Sequence, residues 1–398
     1  MFVPILMLAF SSTWIIESLT GVFLLDVTTT FFGSPTPTSI AATAQLVAIS
    51  SVVSVIFGFM LGALSVRFNH KKLLLIGVFG VALGTAGCFL APNFSFMQVF
   101  FPIEGIGTAT VSAMSFALVG RFLPLNRRPK AIGWILAGSP IAGLAGALVI
   151  YLFFSGAGSW QSYLLWFALP VSLISLAAVV FVVPSAPQEP KTTGREYFSS
   201  FKHVFLKKSA AACLVGTMFR MAALTWATIY FATFIRTQFN LSLSIAALIV
   251  LVGTAISVLA DVIGGYFVNR IGRKRQLVST LVISSIALVA VAFVPDLWVV
   301  LILSWVGGFI FGAGFPAGTS LHLEQVPEFR GTMMSMTNVF ATLGMGLGAA
   351  VGGVALVLTG WTGLILTFAS MQLIAAAIFF FLTKDPCRTP GATKANGI

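Results

Sequence analysis

Five ionisable side chains interrupt long apolar stretches of this 398-residue sequence: Glu17, Asp26, Glu104, Arg220 and Asp261. A charged group at the centre of a lipid bilayer costs about 3 kcal/mol even on a lenient insertion scale. If these stretches cross a membrane, each charge therefore needs a partner or a water-filled cavity. Such groups are candidates for binding a proton or a substrate.

Glu17 and Arg220 lie 203 residues apart, near the middle of the first and seventh apolar stretches. One interpretation is a structural ion pair. The other is a functional site, in which separating the two charges changes the proton affinity of Glu17. Glu104, near the middle of the fourth stretch, has no evident cationic partner. It is either a proton site or a hydrogen-bonded neutral acid without a role in transport.

Asp26 and Asp261 lie closer to the ends of their stretches. Asp26 either binds a cationic substrate or is a solvated interfacial acid. Nine residues separate it from Glu17, about 180° around a helix, so the two do not share a face. Asp261 either pairs with arginines during a conformational change or is passive.

Three aromatic residues accompany the central charges: Trp14, Trp226 and Tyr230. At regular helical spacing Tyr230 lies about 80° from Arg220 and Trp226 about 120°, so Tyr230 shares its face more readily. An aromatic cavity with an acid suits lipophilic cations. The alternative is that these rings pack against lipid or core.

The composition predicts an all-α polytopic membrane protein. The chain is 58% hydrophobic and 8% charged, with a mean hydropathy of +1.03. About 20 apolar residues are needed to cross a bilayer as a helix, and barrel strands would instead alternate polar and apolar positions. We predict twelve transmembrane helices, near 4–28, 41–66, 73–92, 95–120, 131–154, 161–183, 209–235, 243–269, 276–294, 297–321, 332–358 and 361–383.

The charge distribution predicts the orientation of the chain. Of the 22 Lys and Arg residues, 20 follow spans 2, 4, 6, 8 and 10 or lie in the tail, whereas Arg236 is in the other set of loops. By the positive-inside rule both termini are cytoplasmic, and we expect a multi-pass protein of the cell (inner) membrane. This asymmetry explains the net charge of +12 without nucleic-acid binding.

An offset of 203 residues relates several landmarks in the two halves of the chain. It pairs Gly62 with Gly265, Arg67 with Arg270, Lys71 with Lys274, Pro124 with Pro327 and Arg127 with Arg330. We therefore predict two pseudo-symmetric six-helix bundles. Their expected bounds are 1–183 and 209–383, with a cytoplasmic linker at 184–208 and a cytoplasmic tail at 384–398.

These landmarks resemble the major facilitator superfamily, whose loop after helix 2 reads Gly-x-Leu-x-Asp-Arg-x-Gly-Arg-Lys. The resemblance implies that this loop locks the cytoplasmic side by charge pairing. Val66 and Asn269 replace the acid in the two copies, so we expect the lock to depend more on packing. The matching residues are Gly62, Arg67 and Lys71 in the first copy and Gly265, Arg270, Gly272, Arg273 and Lys274 in the second.

Helix 5 resembles the antiporter signature of the same family through Gly138, Pro140 and Gly143. Small residues let helices approach closely, and a proline removes one backbone hydrogen bond, so such a helix can flex at a bundle interface. The alternative is a merely tight helix pair. In helix 4, Phe101 stands where the family has Arg, and Glu104 where it has Gln.

The resemblance implies alternating access around a cavity lined by helices 1, 4, 7 and 10. The sequence has no Walker-type nucleotide loop, so an ion gradient, most simply protons, is the expected driving force. We predict export of small amphiphilic molecules or drugs in exchange for protons. Uptake or exchange of a small organic anion or other metabolite anchored by Arg220 is the alternative.

Other functional classes find less support in the sequence. His70, His203 and His322 are scattered, and no metal spacing or nucleophile with its base is evident, so we expect no enzyme, metal or cofactor. A receptor that has kept this fold and lost transport is a third possibility. The expected partners are a small-molecule substrate, protons and the lipid bilayer, and we expect a monomer.

Overall fold

The structure is a computed structural model that describes residues 2–124, 127–154, 159–184 and 204–386. Within these ranges the chain is helical and contains no strand. The α-helices are α1 (Val3–Ile15), α2 (Leu24–Phe32), α3 (Pro37–Arg67), α4 (His70–Phe89), α5 (Phe94–Phe122), α6 (Arg128–Leu136), α7 (Gly138–Phe153), α8 (Trp160–Tyr163), α9 (Leu169–Val182), α10 (Lys208–Thr225), α11 (Phe231–Phe239), α12 (Leu243–Ile271), α13 (Arg273–Val291), α14 (Leu297–Ala313), α15 (Phe315–Gln325) and α16 (Arg330–Ala377).

Shorter helical turns of other types join some of these helices. Ile16–Leu19 and Pro327–Phe329 are 3₁₀ turns, and Leu164–Ala168, Trp226–Tyr230 and Ile378–Leu382 are π-helical. Polar residues begin several long helices by accepting a hydrogen bond from a backbone N–H of the first turn. Thr36, Asn93 and Asp296 cap α3, α5 and α14 in this way.

Ten helical segments in the described ranges are long and apolar enough to cross a membrane, compared with twelve predicted spans. The difference arises at two places. Predicted span 1 is divided into α1, a 3₁₀ turn and α2, none of which spans alone. Predicted spans 11 and 12 form one segment of 52 residues, Gly331–Leu382. Gly360 interrupts it with φ 68° and ψ −165°, a backbone conformation that favours glycine.

The chain divides into two compact units. Unit 1 comprises residues 1–194, 225–255 and 349–360, and unit 2 comprises residues 195–224, 256–348 and 361–398. Three of the five boundaries between the units fall within predicted spans 7, 8 and 11; the other two fall in the predicted linker and between predicted spans 11 and 12. The division into six-helix bundles at 1–183 and 209–383 stays a prediction. The expected linker at 184–208 and tail at 384–398 lie largely outside the described residues.

Each unit has its own apolar core. In unit 1, Trp160, Tyr163 and Phe23 belong to one buried cluster, and Leu74, Val111 and Leu118 belong to a second. In unit 2, Leu277, Leu321 and Phe379 belong to one cluster. Packing in these cores holds in place the helices that carry the polar residues described below.

The same helix crossing occurs within each unit, at positions related by the offset of 203 residues. A Cβ placed on Gly84 in α4 would lie 2.6 Å from the Cβ of Glu104 in α5. At the equivalent crossing in unit 2 the small residue is on the other helix, because Gly307 of α14 faces the Cβ of Ala287 at 3.1 Å. The crossing is therefore conserved in the fold, but only the first repeat accommodates a carboxyl side chain there.

We predict that Gly84→Ala destabilises the protein and displaces Glu104, because the added methyl would overlap the Cβ and backbone of Glu104. Overpacking of this kind costs about 1–3 kcal/mol. Gly80 lies one turn earlier on α4, and its nearest contact would be at 3.5 Å, so Gly80→Ala is the matched control. Unfolding in mixed detergent micelles should show a lower free energy of unfolding for Gly84→Ala only. Equal stability of the two variants would contradict the close packing at Gly84.

Candidate functional site

The break in predicted span 1 carries Glu17. This residue lies in the 3₁₀ turn Ile16–Leu19, and its side chain is half-buried. Its backbone carbonyl accepts hydrogen bonds from the N–H groups of Thr20 and Gly21, each at 3.1 Å. The carboxyl group is thus presented by a short irregular turn rather than by a continuous helix.

Glu104 lies in unit 1 on α5 and is 4% exposed. The hydroxyl of Thr108, one turn later, donates to its Oε1 at 2.6 Å. Glu104 also lies within range of a Coulomb interaction with Glu17. Unit 1 therefore contains two carboxyl groups within Coulomb range of each other, one on the broken span and one on α5, whose interior also contains Pro102.

The sequence singled out both acids but missed their proximity and the role of Thr108. Thr108 follows Glu104 by four residues, a spacing that places two side chains on one helical face. That spacing was the available signal for the hydrogen bond. The proximity of Glu17 to Glu104 depends on tertiary packing, for which the sequence contains no comparable signal.

Asp26 pairs with Arg236 within unit 1. The two guanidinium nitrogens bond to separate carboxylate oxygens, Nη2 to Oδ1 at 2.9 Å and Nη1 to Oδ2. Nη1 also donates to the carbonyl of Val22 at 3.3 Å. The partner, Arg236, is the arginine that the sequence analysis assigned to the other set of loops. In this conformation the ion pair leaves less of the charge of Asp26 available for a cationic substrate.

The same region joins the break in span 1 to the π-helical turn of span 7. A Cβ on Gly21 would lie 2.7 Å from the carbonyl oxygen of Thr228. Only glycine permits so close an approach of the two backbones. The ion pair between Asp26 and Arg236 lies a few residues further along both segments, so two contacts connect them.

Trp14, Trp226 and Tyr230 are packed residues of unit 1. The indole N–H of Trp14 is buried without a hydrogen-bond partner among the described residues. Trp226 packs against Phe231 and Phe234, with ring centroids 5.9 and 5.4 Å apart. The buried hydroxyl of Tyr230 donates to the carbonyl of Ala349 at 2.7 Å. Because Trp226–Tyr230 is π-helical, the regular angular spacing from Arg220 does not apply across it.

Arg220 is the central charge of unit 2. Its side chain is among the largest fully buried ones, and the residue is 2% exposed. The guanidinium carbon lies 3.9 Å from the ring centroid of Phe315 and 5.3 Å from that of Phe311. Its Nε and Nη2 are buried without a hydrogen-bond partner among the described residues. Asp261 lies within Coulomb range.

Glu17 and Arg220 belong to different units. Their pairing therefore stays a prediction.

Lys71 and Lys274, the lysines that the 203-residue offset pairs in the two copies of the loop motif, cap helix ends. Lys71 Nζ donates to the carbonyl of Val180 at 2.9 Å in unit 1, and Lys274 Nζ donates to that of Thr383 at 2.7 Å in unit 2. Donors and acceptors are both related by 203 residues. A positive charge at a helix C-terminus stabilises the helix, so these two residues have a structural role in each repeat.

The remaining loop residues differ between the two copies. Gly272 has φ 93° and precedes α13, whereas Asn69 precedes α4 with φ −64° and caps it by accepting from the N–H of Lys71. Arg270 lies over the ring of Tyr266 at 4.6 Å and bonds to its hydroxyl. Gly265 is near Pro316, and Arg273 begins α13. Gly62 and Arg67 lie in α3, but their side chains are outside the described residues.

The helix 5 signature lies at the junction of α6 and α7, with Pro140 in the first turn of α7. A Cβ on Gly138 would lie 2.7 Å from Ser11 Oγ, and one on Gly143 would lie 3.5 Å from Thr254 Cγ2. The signature therefore contacts span 1 through Gly138 and span 8 through Gly143. Both contacts lie within unit 1.

Comparison with known proteins identifies the family. The profile of the Major Facilitator Superfamily matches residues 5–258 and 221–397. An uncharacterized MFS-type transporter of Bacillus subtilis, YceJ, is 25% identical over 331 residues, covering 82% of this chain and 83% of the relative. A multidrug resistance protein B homolog of Mycobacterium tuberculosis is 27% identical over 153 residues, covering 38% of this chain and 27% of the relative.

Among solved structures, the D-xylose-proton symporter has the same fold, with a TM-score of 0.78. It is 17% identical and covers 96% of this chain and 98% of its own.

We predict that Asp26 and Arg236 contribute cooperatively to stability. Either single change, Asp26→Asn or Arg236→Gln, leaves a partly buried charge unpaired, whereas the double variant removes both charges. A double-mutant cycle of unfolding free energies should show a coupling of about 1 kcal/mol. Arg275→Gln, which removes an exposed cation, is the control. Strictly additive effects would show that the pair contributes no interaction energy.

Proposed function

Because the chain belongs to the Major Facilitator Superfamily, we propose that this transporter exports small amphiphilic molecules in exchange for protons. The observation that carries the proposal is the pair of carboxyl groups in unit 1, Glu17 and Glu104. It supplies the proton-binding chemistry that an antiporter needs. The two six-helix bundles at 1–183 and 209–383 would be the moving bodies of alternating access.

Two neighbouring carboxylates in a low-dielectric interior repel each other. Binding one proton removes the repulsion, so Glu17 and Glu104 together can take up and release a proton. The hydroxyl of Thr108 donates to Glu104 and keeps one oxygen of that carboxyl oriented. Glu17 lies on an irregular turn, and on this proposal its carboxyl is the one that changes position during transport.

The position of Glu17 supports coupling between proton binding and conformational change. Its turn is followed by the close approach of Gly21 to Thr228 and by the ion pair of Asp26 with Arg236. Both contacts join span 1 to span 7. Separating these spans would move the turn that holds Glu17 and change its distance from Glu104.

The direction of transport is inferred from helix 5 and from one relative. Gly138, Pro140 and Gly143 match the antiporter signature, and the matched M. tuberculosis protein is named as a multidrug resistance protein homolog. Both favour export. On this proposal the protein acts as a monomer in the cell (inner) membrane with cytoplasmic termini, in line with its basic loops.

Uptake or exchange of an organic anion is the second candidate function. It is favoured by Arg220, whose buried nitrogens lack protein partners. The two candidates differ in whether substrate and proton move in opposite directions.

We predict that proton release from dye-loaded proteoliposomes, on addition of lipophilic cations such as tetraphenylphosphonium or of small organic anions, depends on Glu17 and Glu104. Glu17→Gln and Glu104→Gln should each reduce the rate at least about tenfold, because one carboxyl alone cannot form the pair. Glu328→Gln, which alters an exposed acid in the described 3₁₀ turn Pro327–Phe329, is the control and should retain the wild-type rate.

The outcome that would overturn the proposal is substrate movement without proton movement in wild-type protein. Wild-type rates in both glutamine variants would likewise exclude the carboxyl pair as the proton site. If only anions moved, in the same direction as protons and with dependence on Arg220, the second candidate would replace the first.

A further inference from the structure

The most unusual buried group of unit 2 is the guanidinium of Arg220, in the corner formed by the rings of Phe311 and Phe315. We propose that this corner is the substrate-anion site of the transporter, and that it selects a carboxylate attached to a flat aromatic or conjugated group. The inference rests on the second candidate function, transport of an organic anion, and specifies the chemical class of that anion.

The guanidinium carbon of Arg220 lies over the rings of both Phe311 and Phe315. That carbon lies 3.9 Å from the centroid of Phe315, and the two rings meet edge to face with centroids 5.7 Å apart. A cation–π contact offsets part of the cost of burying the charge, but it supplies no oxygen acceptor for the N–H donors of the guanidinium. The edge of Arg220 is therefore the part that remains chemically unsatisfied.

Two nitrogens on that edge, Nε and Nη2, are buried and have no hydrogen-bond partner in the described part of the chain. Unpaired buried donors destabilise a protein, and those of a charged group do so most strongly. A carboxylate matches the planar fork of a guanidinium with two parallel hydrogen bonds. The side chain of Arg220 thus has the geometry and the unmet bonding capacity of a carboxylate receptor.

The charged and polar groups near Arg220 do not supply acceptors for its Nε and Nη2 donors. Asp261 is within Coulomb range but forms no ion pair with Arg220 in the described residues. Thr217, one turn before Arg220, is already bonded to His322 through Oγ1 and Nε2 at 2.7 Å. A Cβ on Gly318 would lie 2.7 Å from Nη1, so the absence of a side chain there makes room for the guanidinium.

The rings add selectivity for the group attached to the carboxylate. On this proposal an aromatic substituent on the carboxylate packs against Phe311 or Phe315, because contacts between aromatic rings are favourable. The equivalent positions in the first repeat, 203 residues earlier, are Thr108 and Ser112. Thr108 is bonded to Glu104, so the first repeat has a hydroxyl group beside an acid at this level, whereas the second has rings beside its base.

The test is isothermal titration of the full-length protein in detergent with 2-naphthoate and its neutral analogue 2-naphthamide. Protein-free micelles correct for partitioning. Wild type should bind the acid at least about tenfold more tightly than the amide, because charge-assisted hydrogen bonds are formed only with the acid. Arg220→Gln should remove this preference, and Arg275→Gln, at an exposed cation, should retain it.

Two further variants keep the result interpretable. Arg220→Lys retains the charge without the planar fork and should bind naphthoate more weakly than wild type, even if Arg220→Gln does not fold. Phe315→Leu retains apolar volume without the ring and should weaken naphthoate binding several-fold while leaving that of acetate unchanged. Equal affinity for acid and amide, or a full preference in Arg220→Lys, would overturn the proposal.

Failure of this inference can be distinguished from failure of the proposed function. Proton-coupled transport by a protein that does not distinguish naphthoate from naphthamide would overturn only the anion site. Selective binding of naphthoate without proton movement would overturn only the coupling to protons.

Discussion

A lipid bilayer supplies no hydrogen-bond partners, and this constraint determines most of the molecule. Backbone groups must be paired within the chain, which favours long helices. The few ionisable side chains that enter the apolar segments must be paired, coupled or stacked. Asp26 forms an ion pair, Glu17 lies within Coulomb range of a second acid, and Arg220 lies in an aromatic corner. The candidate sites are therefore the places where side chains, and not only backbone groups, need polar or aromatic partners inside an apolar segment.

The fold was predictable because the same constraint leaves a strong signal in sequence. Apolar runs of sufficient length, the asymmetry of basic residues and the offset of 203 residues all persist over the whole chain. At two places the division of the chain into helical segments was harder to predict from the sequence. The broken helix around Glu17 depends on contacts such as that of Gly21 with Thr228, and the interruption at Gly360 depends on one backbone conformation. Neither has a periodic pattern.

The sequence indicates the candidate residues of the site, whose roles stay predictions, but it does not indicate their pairings. Each buried charge is visible in sequence because it interrupts an apolar run. The partner is not visible, since it comes from packing between segments distant in the chain. Asp26 and Arg236 are 210 residues apart, and Arg220 contacts rings about 90 residues later. Thr108 was the exception, because helical spacing alone places it beside Glu104.

The crossing of α4 with α5 has its glycine on the first helix, whereas the crossing of α13 with α14 has it on the second. This difference decides which mutations each repeat can accept. A carboxyl side chain fits in the fourth span because the facing residue there is glycine, Gly84. At the equivalent place in the second repeat, Ala287 faces Gly307, so an acid at 307 would require a second change at 287. A single mutation can thus alter the charge of the first repeat at this level, whereas the second repeat is separated from the same innovation by two steps.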